Sequence, residues 1–227
     1  MYVFKTAVFC LVIYLSSALF SQGKPNIIYI YTDDWGIGKV PCYDMDPKSK
    51  ALINTPHIDR LRAEGMLFSN AYAANAVCGP SRNSLLTGRH PGNSVWRANS
   101  KKMPEDLWPS KTPMLGKVAQ QAGYKTAAFG KLSAGGTESA EILEQEYGFD
   151  YWLGFLGHVD CRDYYSPYIY ENGKKIEIPE NDPEKLAPLG YELGEEGVFL
   201  EDKYADKAIE FIKDNKDGSF FIYYAST

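Results

Sequence analysis

The chain has 227 residues, of which 44% are hydrophobic and 23% charged, and its formal net charge is −5. This composition is typical of a globular protein, and the length allows one sizeable domain. The acidic balance excludes a broad basic surface, so nucleic acid is not an expected partner. It also provides no long-range attraction for polyanions, so any anion recognition must come from local groups.

Residues 1–21 have the features of a secretory signal peptide. Lys5 precedes an apolar run over residues 7–15, and small residues suited to cleavage follow, around Ala18 and Ser21. The run is shorter than the roughly 20 residues that cross a bilayer, although a retained membrane anchor is the alternative. We therefore expect no stable membrane insertion and a secreted, periplasmic or endomembrane (lysosomal) location.

The first predicted elements after this segment are a strand, a helix and a second strand. Residues 26–32 are nearly all apolar or aromatic, which predicts a strand covered on both faces. Thr55 and Pro56 begin a predicted helix that ends at Gly65. Residues 66–73 predict a short strand leading into the next helix.

That next helix is predicted for the segment Cys-Gly-Pro-Ser-Arg-Asn-Ser-Leu-Leu-Thr-Gly-Arg, residues 78–89. Pro80 suits its first turn, and Gly88 suits the left-handed position just past its end. Cys78 and Arg82 are four residues apart, so they share one helix face and the guanidinium can reach whatever Cys78 carries. The unpaired N–H groups and the dipole of the helix favour an anion at the same end.

The rest of the chain continues the alternation of helices and strands. We expect a helix over residues 112–123, a strand over residues 125–130, a helix over residues 200–215 and a buried strand over residues 220–225. The predicted inward residues of the two helices are Met114, Leu115, Val118, Ala119 and Ala122, then Tyr204, Ala208, Ile209 and Ile212. This order predicts an α/β fold around a mainly parallel sheet.

The segment 147–196 differs from the rest because it is rich in aromatic residues, glycine and proline. Within it, Asn172 and Gly173 separate two strand-like arms over residues 168–178, which predicts a hairpin with a two-residue turn. We interpret the segment as an excursion from the sheet that rims the active site.

Two acidic residues and one lysine are placed where a parallel sheet binds ligands. Asp33 and Asp34 directly follow the first strand, and Lys131 ends the strand over residues 125–130. Adjacent carboxylates repel each other unless a cation offsets them, and hard oxygen donors suit Ca²⁺ or Mg²⁺. A solvated turn for the acidic pair, and a lysine that simply leaves the sheet for water, are the alternatives.

Residues 78–89 resemble the type I sulfatase signature C-x-P-S-R-x-x-x-L-T-G-R at every fixed position. The resemblance implies an alkaline-phosphatase-like α/β sandwich. It also implies that a formylglycine-generating enzyme oxidises Cys78 to formylglycine, the nucleophile, and that Arg82 anchors the modified residue. For Cys78, a half-buried structural cysteine is the alternative.

The same resemblance extends to the metal and to the sulfate ester. It implies one Ca²⁺ held by Asp33, Asp34 and Cys78 as formylglycine. Lys131 resembles the lysine of the family's G-K-W-H-L-G segment, which contacts the sulfate ester. Here Leu132, Ser133 and Ala134 replace Trp-His-Leu, so the histidine that the family places there is missing.

The resemblance covers residues 22–227, which correspond to about the N-terminal half of the family's catalytic unit. In the family, further calcium ligands, another active-site lysine and a smaller subdomain follow. We therefore expect little or no turnover from the 227-residue chain taken alone.

Several other groups have weaker functional assignments. His158 is a candidate substrate contact, whereas His57 and His90 are expected to be structural. Cys42 and Cys161 remain as a pair that an oxidising compartment allows to join. Four tyrosines are expected to pack rather than stack on a sugar ring: Tyr164, Tyr165, Tyr168 and Tyr170.

The resemblance thus implies a sulfuric ester hydrolase that cleaves sulfate monoesters, with sulfated glycans as the expected substrates. Two alternatives remain open at this point. One is a phosphonate or phosphate monoester hydrolase, because the tetrahedral anions are alike. The other is a non-catalytic binding protein, because the expected histidine is absent.

Overall fold

The computed structural model describes residues 23–43, 53–94, 97–99, 112–132, 147–157, 163–186 and 197–227. The predicted signal peptide, Ser133, His158 and Cys161 lie outside these ranges. The strands are β1 (Ile27–Tyr31), β2 (Lys125–Lys131), β3 (Tyr151–Phe155), β4 (Tyr168–Glu171), β5 (Lys174–Glu177) and β6 (Phe220–Ala225). The helices are α1 (Pro56–Glu64), α2 (Cys78–Thr87), α3 (Leu115–Gln121), α4 (Pro183–Leu186) and α5 (Leu200–Asn215).

The strands of the described ranges form one six-stranded sheet with the order β1-β6-β2-β3-β4-β5. The first four strands in this order are mutually parallel, and β4 and β5 are antiparallel additions at one edge. The prediction of an α/β fold around a mainly parallel sheet is therefore confirmed. Because β1, β6 and β2 are parallel neighbours, their carboxyl ends lie side by side at the same end of the strands.

Helices cover both faces of the centre of the sheet. Ile222 of β6 belongs to a buried cluster with Tyr204 of α5, whereas Tyr223, the next residue, belongs to a cluster with Leu86 of α2. Successive side chains of a strand point to opposite faces, so one strand supplies both clusters. The sheet centre is thus a middle layer between α5 on one side and α2 with α3 on the other.

Strand β1 departs from the expectation that it is covered on both faces. It pairs with β6 at one edge of the sheet, and its apolar side chains are largely exposed, with Ile28 at 49% and Ile30 at 60%. An apolar run is typical of a strand that is covered on both faces, but the run does not determine whether other elements pack on those faces. No described helix packs on β1 as α5 packs on β6.

The hairpin over residues 168–178 is confirmed, but its interpretation as an excursion from the sheet is wrong. Asn172 and Gly173 have φ values of 45° and 79°, the left-handed conformations that the favoured two-residue turn requires. Strand β4 then pairs with β3, so the hairpin extends the same sheet at the edge opposite β1.

Several smaller expectations also need correction. Residues 66–73 form no strand. The predicted inward residues Val118 of α3 and Ile209 of α5 are about half exposed, at 50% and 49%, and Ala122, just past the end of α3, is also exposed. Phe211 takes the buried position in α5 instead. None of the helices in the described ranges combines the length and apolar character that a bilayer crossing requires.

Candidate active site at the carboxyl ends of the parallel strands

Helix α2 begins at Cys78 and ends at Thr87, as the sequence predicts. Pro80 lies in its first turn, and Gly88 follows it in the left-handed conformation with φ 64°. Most of the helix is buried, including its arginine, so α2 is held inside the molecule rather than on its surface. Cys78 therefore stands at the start of a fixed helix.

Arg82 connects the carboxyl ends of three strands. Its side chain is fully buried, and its guanidinium donates to the Lys131 carbonyl at 2.7 Å and to the Ser226 carbonyl at 3.1 Å. It also forms an ion pair with Asp33 Oδ1 at 3.5 Å. Asp33 follows β1, Lys131 ends β2 and Ser226 follows β6, so one cation ties all three ends together.

Aromatic groups surround this buried guanidinium. It lies 5.1 Å from the centre of the Tyr31 ring, within the range of a cation–π interaction. The Tyr31 hydroxyl and Ser81 Oγ share a hydrogen bond of 2.6 Å, which fixes the ring against α2. Burial raises the pKa of Tyr223, and the positive charge of Arg82 only partly opposes this effect. The Tyr223 hydroxyl is therefore a neutral group beside the guanidinium.

Lys131 is also buried, at 5% exposure, and its Nζ donates to Asp33 Oδ2. The alternative in which this lysine leaves the sheet for water is wrong. The preceding residue, Gly130, has φ 88°, and a Cβ there would lie 2.2 Å from the Ala225 carbonyl oxygen. Only glycine lets β2 pass β6 this closely, and this approach brings Lys131 beside Asp33.

The two aspartates differ in their surroundings. Asp33 is mostly buried between Lys131 and Arg82, whereas Asp34 is exposed and has a left-handed φ of 49°. Carboxylate oxygens are suitable Ca²⁺ donors, so the residues fit a calcium site in kind. They fall short in number, because Ca²⁺ takes about six to eight oxygens. Within the described ranges, no three His, Cys, Asp or Glu side chains are clustered for a metal.

Cys78 is a partly exposed free cysteine. The Nδ2 of Asn99 donates to its Sγ at 3.1 Å, and the backbone N–H of Gly79 donates to Oδ1 of the same asparagine at 3.1 Å. Asn99 thus reaches the start of α2 from a distant point in the sequence. Cys42 is a buried free cysteine, and its predicted partner lies outside the described residues.

The structure brings three of the predicted site residues into direct contact, namely Asp33, Arg82 and Lys131. Cys78 stands one turn before Arg82 on the same helix. Three further participants carry no signal in the sequence: the Tyr31 ring, the Ser226 carbonyl and the Asn99 side chain. Every residue carries a backbone carbonyl, so the sequence does not single out that of Ser226. Asn99 lies 21 residues from Cys78, so no local spacing rule predicts their contact.

The other histidines of the described ranges and the four tyrosines lie outside the Asp33–Arg82–Lys131 cluster. His57 is exposed, and His90 Nδ1 accepts the backbone N–H of Gly92. The four tyrosines pack against phenylalanine rings, Tyr164 and Tyr165 on Phe199, and Tyr168 and Tyr170 on Phe155. The packing role expected for these tyrosines agrees with these contacts.

The family model described as Sulfatase matches residues 25–227, nearly the whole of the described chain. The chain belongs to the sulfatase family. The Cys78 helix and the Asp33–Arg82–Lys131 cluster are thus parts of a sulfatase domain. The expectation of an alkaline-phosphatase-like fold is likewise confirmed by the solved sulfatases that it resembles.

Among its relatives is N-acetylglucosamine-6-O-sulfatase of Bacteroides thetaiotaomicron, 34% identical over 196 residues. That alignment covers 86% of this chain and 28% of the relative. A solved structure from work on glycosaminoglycan metabolism by the same bacterium superposes with a TM-score of 0.70, at 29% identity over 90% of this chain. Another, in complex with D-glucosamine-2-N,6-O-disulfate, has a TM-score of 0.63 and 31% identity over 89% of this chain.

The chain is much shorter than these proteins. It spans 28% of the length of the N-acetylglucosamine-6-O-sulfatase, and 51% and 34% of the two solved chains.

Proposed function

We propose that this sulfatase-family chain forms the nucleophile-bearing part of a sulfuric ester hydrolase acting on sulfated glycans. The proposed substrate class is a 6-O-sulfated glucosamine unit. Two similarities support this class, to a relative named for N-acetylglucosamine 6-O-sulfate and to a structure that holds a 6-O-sulfated glucosamine.

The observation that carries the proposal is the contact of Asp33 with Lys131 and Arg82 at the carboxyl ends of the parallel strands, with Arg82 one helical turn from Cys78. A sulfate monoester is an anion that resists nucleophiles, so a site must neutralise it before attack. Preorganised positive groups in a buried site do so at little reorganisation cost. The cluster supplies two such cations around one carboxylate.

Cys78 is the proposed precursor of the nucleophile. Formylglycine at this position would supply one hydroxyl of its hydrate for attack on sulfur and a second to release the sulfate afterwards. The chain contributes its placement, because the first residue of α2 lies where free N–H groups and the helix dipole favour an anion.

The two cations have different proposed roles. The guanidinium of Arg82 is occupied by carbonyl and carboxylate oxygens, so it holds the strand ends in place and supplies a fixed positive field. The ammonium of Lys131 has three N–H donors. Its contact with Asp33 takes one of them, and we assign the other two to sulfate oxygens.

Asp33 and Asp34 are the proposed calcium ligands, together with position 78. A bound Ca²⁺ would add positive charge where the ester oxygens become more negative. The ion needs more oxygens than these residues provide, and we assign the rest to groups outside the described ranges. His158 is the proposed substrate contact, and residues 1–21 are the proposed signal peptide.

Mass analysis of the peptide that contains Cys78 tests this proposal. After co-expression with a formylglycine-generating enzyme, we expect an aldehyde at position 78 and an unchanged thiol at Cys42. Without the enzyme, both residues should remain thiols. A Cys78 thiol that persists in the presence of the enzyme would contradict the proposal. Where the modified protein shows turnover, side-by-side assays on nitrophenyl sulfate and a nitrophenyl phosphonate ester separate the two hydrolase classes, because the proposal requires the sulfate to react faster.

A further inference from the structure

The side chain of Asn99 makes two contacts at the start of helix α2. Its Nδ2 donates to Cys78 Sγ at 3.1 Å, and its Oδ1 accepts the Gly79 backbone N–H at 3.1 Å. One planar carboxamide therefore bridges the candidate nucleophile and the adjacent backbone. Asn99 lies 21 residues from Cys78, so this bridge is a tertiary contact.

The orientation of this carboxamide follows from its partners. A backbone N–H can only donate, so the oxygen of the carboxamide must face Gly79. The NH₂ group must then face Cys78, where it acts as a donor. The contact with Gly79 thus determines that the NH₂ end of Asn99 faces position 78, whether that position carries a thiol or a modified side chain.

A second asparagine at the same helix end provides an internal comparison. Oδ1 of Asn75 accepts the backbone N–H of Val77 at 2.9 Å, which satisfies a backbone donor just before α2. Asn75 and Asn99 therefore both accept a backbone N–H at this end, but Asn99 also contacts Cys78. A purely structural role would make the two asparagines equivalent.

We propose that Asn99 is a positioning residue that holds the side chain at position 78 in one orientation. Its part in sulfate ester hydrolysis rests on the proposed function, whereas its hold on Cys78 does not. A nucleophile kept in one rotamer is preorganised for attack, and small misplacements of reacting groups are costly. Where turnover is measured on the modified protein, Asn99→Ala should lower kcat by about 10-fold with little change in KM.

The decisive readout is the side-chain rotamer of Cys78 by NMR in chain labelled with ¹³C-cysteine, with Cys78→Ala for assignment. In the unsubstituted chain we expect one large and one small Hα–Hβ coupling, the sign of a single rotamer. Asn99→Ala should average these couplings, and Asn75→Ala should leave them unchanged. Each substitution removes one side-chain acceptor of a backbone N–H at this helix end, so both should lower the melting temperature by about 2–4 °C.

Asn99→Asp separates the contact with Gly79 from the contact with Cys78. A carboxylate still accepts the Gly79 N–H, so we expect a restored melting temperature. It meets the Cys78 thiol only as an acceptor of the weak S–H donor, so we expect the couplings to be only partly restored. Averaged couplings in the unsubstituted chain, or couplings that Asn99→Ala leaves unchanged, would overturn the inference. A chain whose Cys78 is never oxidised would instead overturn the proposed function, and the couplings would still report on Asn99.

Discussion

Strands β1 and β6 are parallel neighbours with similar side chains and opposite environments. Their sequences are Ile-Ile-Tyr-Ile-Tyr and Phe-Phe-Ile-Tyr-Tyr-Ala, and Ile28 pairs in register with Ile222. Ile28 is 49% exposed and Ile222 is fully buried. The difference comes from the helices that cover β6, so burial is a property of the neighbours and not of the strand sequence.

This contrast matters for the candidate site, because β1 leads directly into Asp33 and Asp34. A strand that lacks cover on its faces gains little from hydrophobic burial. Its end is instead held by the ion pairs of Asp33 with Arg82 and Lys131 and by the contact of the Tyr31 ring with Arg82. The site therefore helps to hold β1, whereas packing holds β6.

The strongest way to break this arrangement is Arg82→Met. The substitution leaves the Lys131 and Ser226 carbonyls without their buried donor and removes one partner of Asp33. Breaking a buried ion pair in this way should lower the free energy of unfolding by about 3–5 kcal/mol in urea titrations. Hydrogen exchange should increase more at the end of β1 than in β6.

Arg60→Met is the matched control for this prediction. Arg60 pairs with Glu64 at 3.9 Å on the exposed face of α1, and such surface pairs contribute less than about 0.5 kcal/mol. Equal losses of stability in the two variants would show that Arg82 does not connect the strand ends.

The register partners Ile28 and Ile222 allow a direct comparison of the two strands. Ile222→Ala leaves a cavity in a covered layer and should cost about 3 kcal/mol in the free energy of unfolding. Ile28→Ala removes a half-exposed side chain and should cost less than about 1 kcal/mol. Equal losses would mean that β1 is covered in solution after all.

The close approach of β2 to β6 gives the third prediction. Gly130→Ala should cost about 2 kcal/mol or more, because the new Cβ meets the Ala225 carbonyl and the residue has a positive φ. Gly88 also has a positive φ but open space around its Cβ position, so Gly88→Ala should cost only about 1 kcal/mol. A Gly130→Ala chain as stable as Gly88→Ala would place the strand ends farther apart than described.

The smallest expected effect concerns alkaline pH. Burial raises the pKa of Tyr223 and of the half-exposed Tyr29 above the ordinary value of 10.0. The folded chain then keeps protons that the unfolded chain loses, so this stability is present below pH 10 and declines as pH rises further. Tyr223→Phe should reduce the fall in the free energy of unfolding that urea titrations measure between about pH 9 and about pH 11, on either side of the ordinary tyrosine pKa of 10.0. Tyr29→Phe should flatten it less, and the reverse order would contradict the difference in burial.

Local patterns in the sequence predict most elements of this fold. Pro80 and Gly88 correctly delimit α2, and Asn172 with Gly173 correctly predict the hairpin turn. The apolar residues of β6 predict a buried strand with the observed bounds, Phe220–Ala225. These predictions succeed because the signals act over a few residues.

The failures involve partners that are distant in sequence. The exposure of β1 depends on what covers it, and the pairing of β4 with β3 depends on the path of the chain. The same holds at the site, where the signature predicts Cys78 and Arg82 but not the Ser226 carbonyl or Asn99. Only the folded arrangement shows that Arg82 binds the strand ends. Its expected role toward position 78 stays a prediction.

We propose that Lys131, Asp33 and Asp34 form a site for a sulfate group near position 78, with Asp33 held by Arg82. Calorimetric titration of D-glucosamine 6-sulfate into a Cys78→Ala chain, with and without calcium, tests this proposal. We predict calcium-dependent binding that Lys131→Met abolishes and that Lys39→Met, an exposed control, leaves unchanged. Binding that survives both Lys131→Met and the removal of calcium would show that the sulfate group binds elsewhere.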